Sequence, residues 1–129
     1  MVEGFEAEKC EVSYARHSFP IDQRLSKNGR LVPRLRGRGM MLSDDYRAAK
    51  TALSIALSVA WRKVEFAPKT KTHVGILVRR TDFRSDPANY IDGILDAVSE
   101  AIGVDDRYFA MSLDWEESIV GGIVLEVSQ

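Results

Sequence analysis

At 129 residues, with 45% hydrophobic and 29% charged residues, the chain has the size and composition of one ordinary globular domain. Its single cysteine, Cys10, excludes an internal disulfide framework and a cysteine-based zinc site, and fits a reducing compartment. No apolar run approaches the ~20 residues of a membrane span, and the polar, acidic start "MVEGFEAEK" is unlike a signal peptide, so the expectation is a soluble cytoplasmic protein with no membrane partner.

In chain order, residues 1–10 read as a tail and residues 11–129 as the domain. Residues 11–18, "EVSYARHS", alternate loosely and predict a first strand. Residues 24–40, "RLSKNGRLVPRLRGRGM", hold six cations and no acid: Arg24, Lys27, Arg30, Arg34, Arg36 and Arg38. Glycine and proline interrupt this segment, which predicts a loop or an irregular ribbon, followed by the short apolar piece "GMML". Ser43 is a helix cap with Asp44 and Asp45 in the first turn, where the helix dipole favours acids. Tyr46, Ala49, Leu53, Leu57, Ala60 and Trp61 then form a stripe at spacings of 3 and 4, predicting a helix over about 44–63. Residues 72–80, "THVGILVRR", predict a central strand covered on both faces.

The next segment, "RSDPANYIDGILDAVSEAIGVDDRYF", predicts a second helix capped by Asp86, opened by Pro87 and ended by Gly103. Its core stripe is Ile91, Ile94, Leu95, Val98 and Ile102, which turns Asn89, Asp92, Asp96 and Ser99 outward. Residues 107–114 and 121–128 predict two last strands joined by a turn near Glu116–Gly122. The order strand, helix, strand, helix, strand, strand implies a small α/β or α+β domain: a mixed sheet of about four strands with two helices.

The near-zero net charge hides an asymmetry. Residues 1–80 carry 16 Lys and Arg against 8 Asp and Glu, whereas residues 81–129 carry 2 against 11. A run of cations is ordinarily a solvated face. Here five of the six are arginines, whose planar fork binds phosphate at two points, and that composition favours a nucleic-acid partner. The acidic segment places Asp86 and Asp92 near a helix start and Asp105 and Asp106 just past its end. If the strand after the helix returns the chain toward the helix start, these carboxylates form a cluster. Hard cations such as Mg²⁺ take oxygen ligands of this kind, together with substrate phosphate.

The acidic segment also resembles the active-site signature of RusA-type endonucleases, the phage-derived Holliday junction resolvases. Asp86, Asn89, Asp96, Asp105 and Asp106 match that pattern in order and spacing. The upstream "FPIDQRLSKNGR" and "MLSDDYRAAK" follow the same layout, so the resemblance spans roughly residues 11–128. It departs in three places. The family's second Asp is Ala88 here, its lysine is Asp92, and Asp22 and Gln23 stand near the asparagine usual after the early proline.

The resemblance implies a Mg²⁺-dependent (or Mn²⁺-dependent) homodimeric endonuclease of bacterial or phage type that resolves branched DNA. It implies Asp86, Asp106 and Asp92 as catalytic metal ligands, with Asp105 beside them and Asn89 and Asp96 supporting the helix face. The cations of the basic segment and Arg84 would hold the DNA. Two outcomes follow from the departures. Either Asp92 replaces the carboxylate missing at Ala88, or the site has decayed and the chain binds DNA without cutting it.

Overall fold

The computed structural model describes residues 13–26, 31–33, 40–83 and 86–129. The expected tail with Cys10, the cations Lys27, Arg30, Arg34, Arg36 and Arg38, and Arg84 lie outside the described residues.

Strand β1 (Tyr14–Phe19) is followed by a short 3₁₀ turn at Gln23–Leu25. Two three-residue strands, β2 (Leu31–Pro33) and β3 (Met40–Leu42), then pair antiparallel as a ribbon flanking part of the basic segment. Helix α1 covers Asp44–Ala60 and strand β4 Thr72–Arg80. A 3₁₀ turn at Pro87–Tyr90 leads into helix α2 (Ile91–Ile102), and β5 (Phe109–Glu117) and β6 (Gly122–Ser128) complete the chain. The result is an α+β fold. Its four-stranded sheet has the order β1-β6-β4-β5, with β5 parallel to β4 and the other pairs antiparallel.

Local chemistry explains the helix ends. Ser43 Oγ accepts from Tyr46 N–H at 3.1 Å and so satisfies one orphan donor of α1. Asp86 Oδ1 accepts from Ala88 N–H at 3.0 Å, and Pro87 opens the turn where its missing N–H costs nothing. Gly103 stops α2 with φ +72°, a conformation glycine adopts without the Cβ clash.

The core lies between the two helices and one face of the sheet. Leu53, Leu57 and Trp61 of α1 and Ile94, Ala97 and Val98 of α2 pack there on Val74, Ile76, Val78, Ile123, Leu125 and Val127. Each fully buried aliphatic side chain contributes roughly 1.5–3 kcal/mol by leaving water. Trp61 caps α1 and ties it to β1, its Nε1–H donating to the Arg16 carbonyl at 3.3 Å.

Three expectations change. Strand β4 is buried on alternate residues only; His73, Gly75, Leu77 and Arg79 face away from the helices and are exposed or half-buried. Its apolar run arises because Leu77 also pairs with Val124 across the open face. The inward stripe of α2 is Tyr90, Gly93, Ile94, Ala97 and Val98, while Ile91, Leu95 and Ile102 are only half-buried. The small residues let α1 approach: a methyl group on Gly93 would stand 3.0 Å from Leu25 Cδ2 and 3.3 Å from Tyr46 Oη. Finally, β5 and β6 are not neighbours. The chain steps over the end of β4, where Ser118 N–H donates to the Arg80 carbonyl at 2.9 Å, and β6 returns on the other side.

Candidate nucleic-acid interface

The basic segment is anchored at both ends on one end of the sheet. Its first turn is pinned three ways: Leu25 is buried in the core, Asp22 Oδ1 accepts from Arg24 N–H at 3.0 Å, and Tyr90 Oη donates to Gln23 Oε1 at 3.0 Å. Its far end, Met40–Leu42, runs directly into α1, whose first-turn Tyr46 reaches Gly93 of α2. Both anchors therefore stand beside the start of α2, and the first, through Gln23, also lies at the C-terminal end of β4. A cleft of about 330 Å³ opens at the same place, lined by Pro20, Gln23, Arg80, Asp82, Pro87 and Tyr90 among others.

Arg24 faces this region but is already held. Its guanidinium binds the Asp22 carboxylate at two points, 2.8 Å from Nη2 and 3.0 Å from Nε. That contact, the strongest influence on Asp22, keeps its carboxyl below the usual range, and the same hydrogen bond raises Arg24. Arg80 lies 4.5 Å from the Phe83 ring centre and 4.9 Å from that of Trp115, and the two rings meet edge to face at 5.7 Å. Trp115 is 46% exposed. It belongs to this surface cluster, while Trp61 belongs to the core.

The carboxylates divide between the two ends of α2. Asp86 precedes the helix and stands with Asp82 in the loop after β4. Asp105 and Asp106 follow the helix, and Asp106 lies close enough to Asp96, in the middle of α2, to act on its carboxyl. The chain does return toward the Asp86 end, but only along β5, after these acids have been passed: Phe109 pairs with Thr72 and Glu117 with Arg80. Asp105 has a local role. It accepts from the Arg107 N–H at 3.0 Å, the main reason its carboxyl is held low, and caps the turn Asp106–Tyr108.

Asp92 lies in the first turn of α2 and is exposed, one helical turn before Asp96. Asp96 is paired rather than merely solvated. Lys50 of α1, its side chain 18% exposed, reaches Asp96 at 3.8 Å and Glu100 at 3.9 Å. Burial raises the Asp96 carboxyl, Lys50 opposes that, and Asp106, Asp92 and Glu100 push the same way as burial. Asn89 sits half-buried in the 3₁₀ turn, its N–H donating to the Asp86 carbonyl at 2.9 Å.

The fold thus joins Asp86 to the anchors of the basic segment and joins Asp106 to Asp92 and Asp96 along a weaker electrostatic path. Among the described residues no group of three or more Asp, Glu, His or Cys side chains is placed to hold a metal ion. Two residues of this region escape a reading by motif. Asp82 is four before Asp86 in the loop after the central strand, and Lys50 follows Ala49 at the edge of the α1 core stripe. A cation beside a buried stripe is the signal for a cross-helix pair.

No helix among the described residues is long and apolar enough to cross a membrane. Compared with known protein families and with curated proteins, the sequence matches none.

Proposed function

We propose that this chain binds branched DNA through its basic segment, as a RusA-like homodimer whose hydrolytic site is weakened or absent. One observation carries the reading: the turn that opens the arginine-rich segment is bonded through Gln23 to Tyr90 at the cleft that Arg80 also lines. Five arginines within residues 24–40 suit phosphate contacts, each of which releases counterions and adds affinity without reading sequence. Ala88 weighs against a complete set of three acids in one chain, as does the lack, among the described residues, of three acids placed to hold one ion.

Metal-dependent cleavage is the second reading, and Asp82 favours it. Asp82 and Asp86 share the loop after β4 beside the cleft. Mg²⁺ is commonly held by one or two carboxylates plus substrate phosphate, so these two meet the minimum without Asp106. Labelled synthetic four-way junction and matched duplex, incubated with purified protein in Mg²⁺, Mn²⁺ or chelator, separate the readings. Junction binding without metal-dependent strand scission is expected. Scission that needs Mg²⁺ and disappears in Asp86→Asn establishes the second reading, and absence of junction binding overturns both.

A further inference from the structure

We infer that the outer face of α1 is the surface on which two copies of this chain pair, antiparallel, about a two-fold axis passing between Leu53 and Ser54. The inner face of the helix, Tyr46, Ala49, Leu53 and Leu57, is buried in the core. The outer face repeats the apolar pattern where the fold has no use for it: Ala48, Ala52, Ile55 and Val59 are all exposed, Ile55 by 60% and Val59 by 58%. At 100° per residue these four lie within one narrow stripe that contains no charge.

The stripe is self-complementary in shape. About that axis Ala48 stands opposite Val59 of the second copy, and Ala52 opposite its Ile55. Every large side chain then faces an alanine, the alternation that lets helices approach closely. It is also self-complementary in charge. The helix begins with exposed Asp44 and Asp45, of which Asp44 pairs with Arg47 one turn on at 3.2 Å, and is followed by exposed Arg62 and Lys63, with no acid in its last turn. Antiparallel pairing sets the two acids of one copy against the two bases of the other at both ends of the contact. A parallel pair would set like against like. Ala52 stands where this stripe meets a groove lined by Phe19, Leu25, Ala49 and Leu53, and the other three lie farther round the helix from its buried face.

The pairing supplies a surface for the homodimer of the proposed function but rests on α1 alone. It also fixes a geometry: the starts of the two α1 helices lie at opposite ends of a contact whose 17-residue helices are ~25 Å long.

Light scattering and cross-linking test it. Wild type at micromolar concentration is expected at twice the chain mass of 14.5 kDa. Ile55→Glu with Val59→Glu is expected to weaken the dimer by about a hundredfold or more, because each copy buries charge against an apolar partner, with an unchanged circular dichroism spectrum. Ala48→Cys and Val59→Cys, each in a Cys10→Ser background, supply a register test on small substitutions. A thiol cross-linker matched to the ~8–10 Å between packed helix axes should join the two variants when mixed. Neither should cross-link to itself, since like positions are about 16 Å apart along the axis. A monomeric wild type overturns both the pairing and the homodimer of the proposed function. A dimer that survives the double glutamate variant, or self-linking in place of mixed linking, overturns this surface alone.

Discussion

Lys50→Met should destabilise the fold by about 1–2 kcal/mol at neutral pH, and the loss should fade in acid. The methionine keeps most of the buried stem and removes only the ammonium. That ammonium stands 3.8 Å from Asp96 and 3.9 Å from Glu100. Two unit charges about 4 Å apart are worth ~1 kcal/mol in water and ~4 kcal/mol at an effective dielectric of 20. Both carboxylates are about half exposed, so screening brings each pair toward the measured range of ~0.2–1 kcal/mol. Asp92 and Asp106 add repulsion that Lys50 offsets, which places the sum near the upper end. For a domain of this size the melting point should fall by roughly 3–8 °C.

The pH sign follows from Asp96. Its folded carboxyl is raised, so ionising it costs stability above the folded value, and the cost disappears below the unfolded value of ~3.9. Removing Lys50 enlarges that cost. The difference in melting point between variant and wild type should therefore be greatest at neutral pH and shrink toward about pH 4. Differential scanning calorimetry across that range reads it directly. A difference that stays constant with pH, or grows in acid, would refute the electrostatic origin.

Gly93→Ala should destabilise despite the better helix propensity of alanine, since its methyl meets Leu25 at 3.0 Å and Tyr46 at 3.3 Å. Overpacking of about 1–3 kcal/mol outweighs the ~1 kcal/mol propensity gain, and a urea midpoint no lower than wild type would count against the close α1–α2 contact. Asp22→Asn should raise DNA affinity several-fold at low salt by releasing Arg24 from its two-point pair; fluorescence anisotropy showing weaker or equal binding would remove Arg24 from the interface. Asp106→Asn should leave DNA binding and any metal-dependent scission unchanged, because its charge acts on Asp96 in the middle of α2; loss of scission in this variant alone would return Asp106 to the site.

The elements that chain chemistry dictates locally are legible in the sequence. Ser43, Asp86–Pro87 and Gly103 mark helix ends because each satisfies or removes an orphan backbone group on its own. Strand β4 spans the residues its apolar run suggests. What escapes depends on partners distant in sequence. A hydrophobicity pattern selects Ile91, Leu95 and Ile102 for the core of α2, yet the closest packing uses Gly93 and Ala97, whose value lies in their smallness opposite Leu25 and Tyr46. The sequence marks a turn between β5 and β6, and only the pairing of both strands with β4 reveals that this turn crosses the end of β4.

The candidate site divides the same way. Asp86 and the start of the basic segment converge because Gln23 and Tyr90 bond across the fold. Asp105 caps the turn that leads into β5, and Asp106 acts on Asp96 in the middle of α2. Spacing along the chain carries no information about which end of a helix a later strand has reached.

DNA binding through the basic segment is tested most directly by the salt dependence of affinity, measured for wild type and for Arg34→Ala/Arg36→Ala/Arg38→Ala on the same labelled junction. The expected result is a steep fall of log affinity with log salt in wild type. In the variant the slope should be shallower by about 0.9 for each phosphate that is no longer neutralised. Equal slopes for the two proteins would assign these arginines to a solvated face and contradict the account.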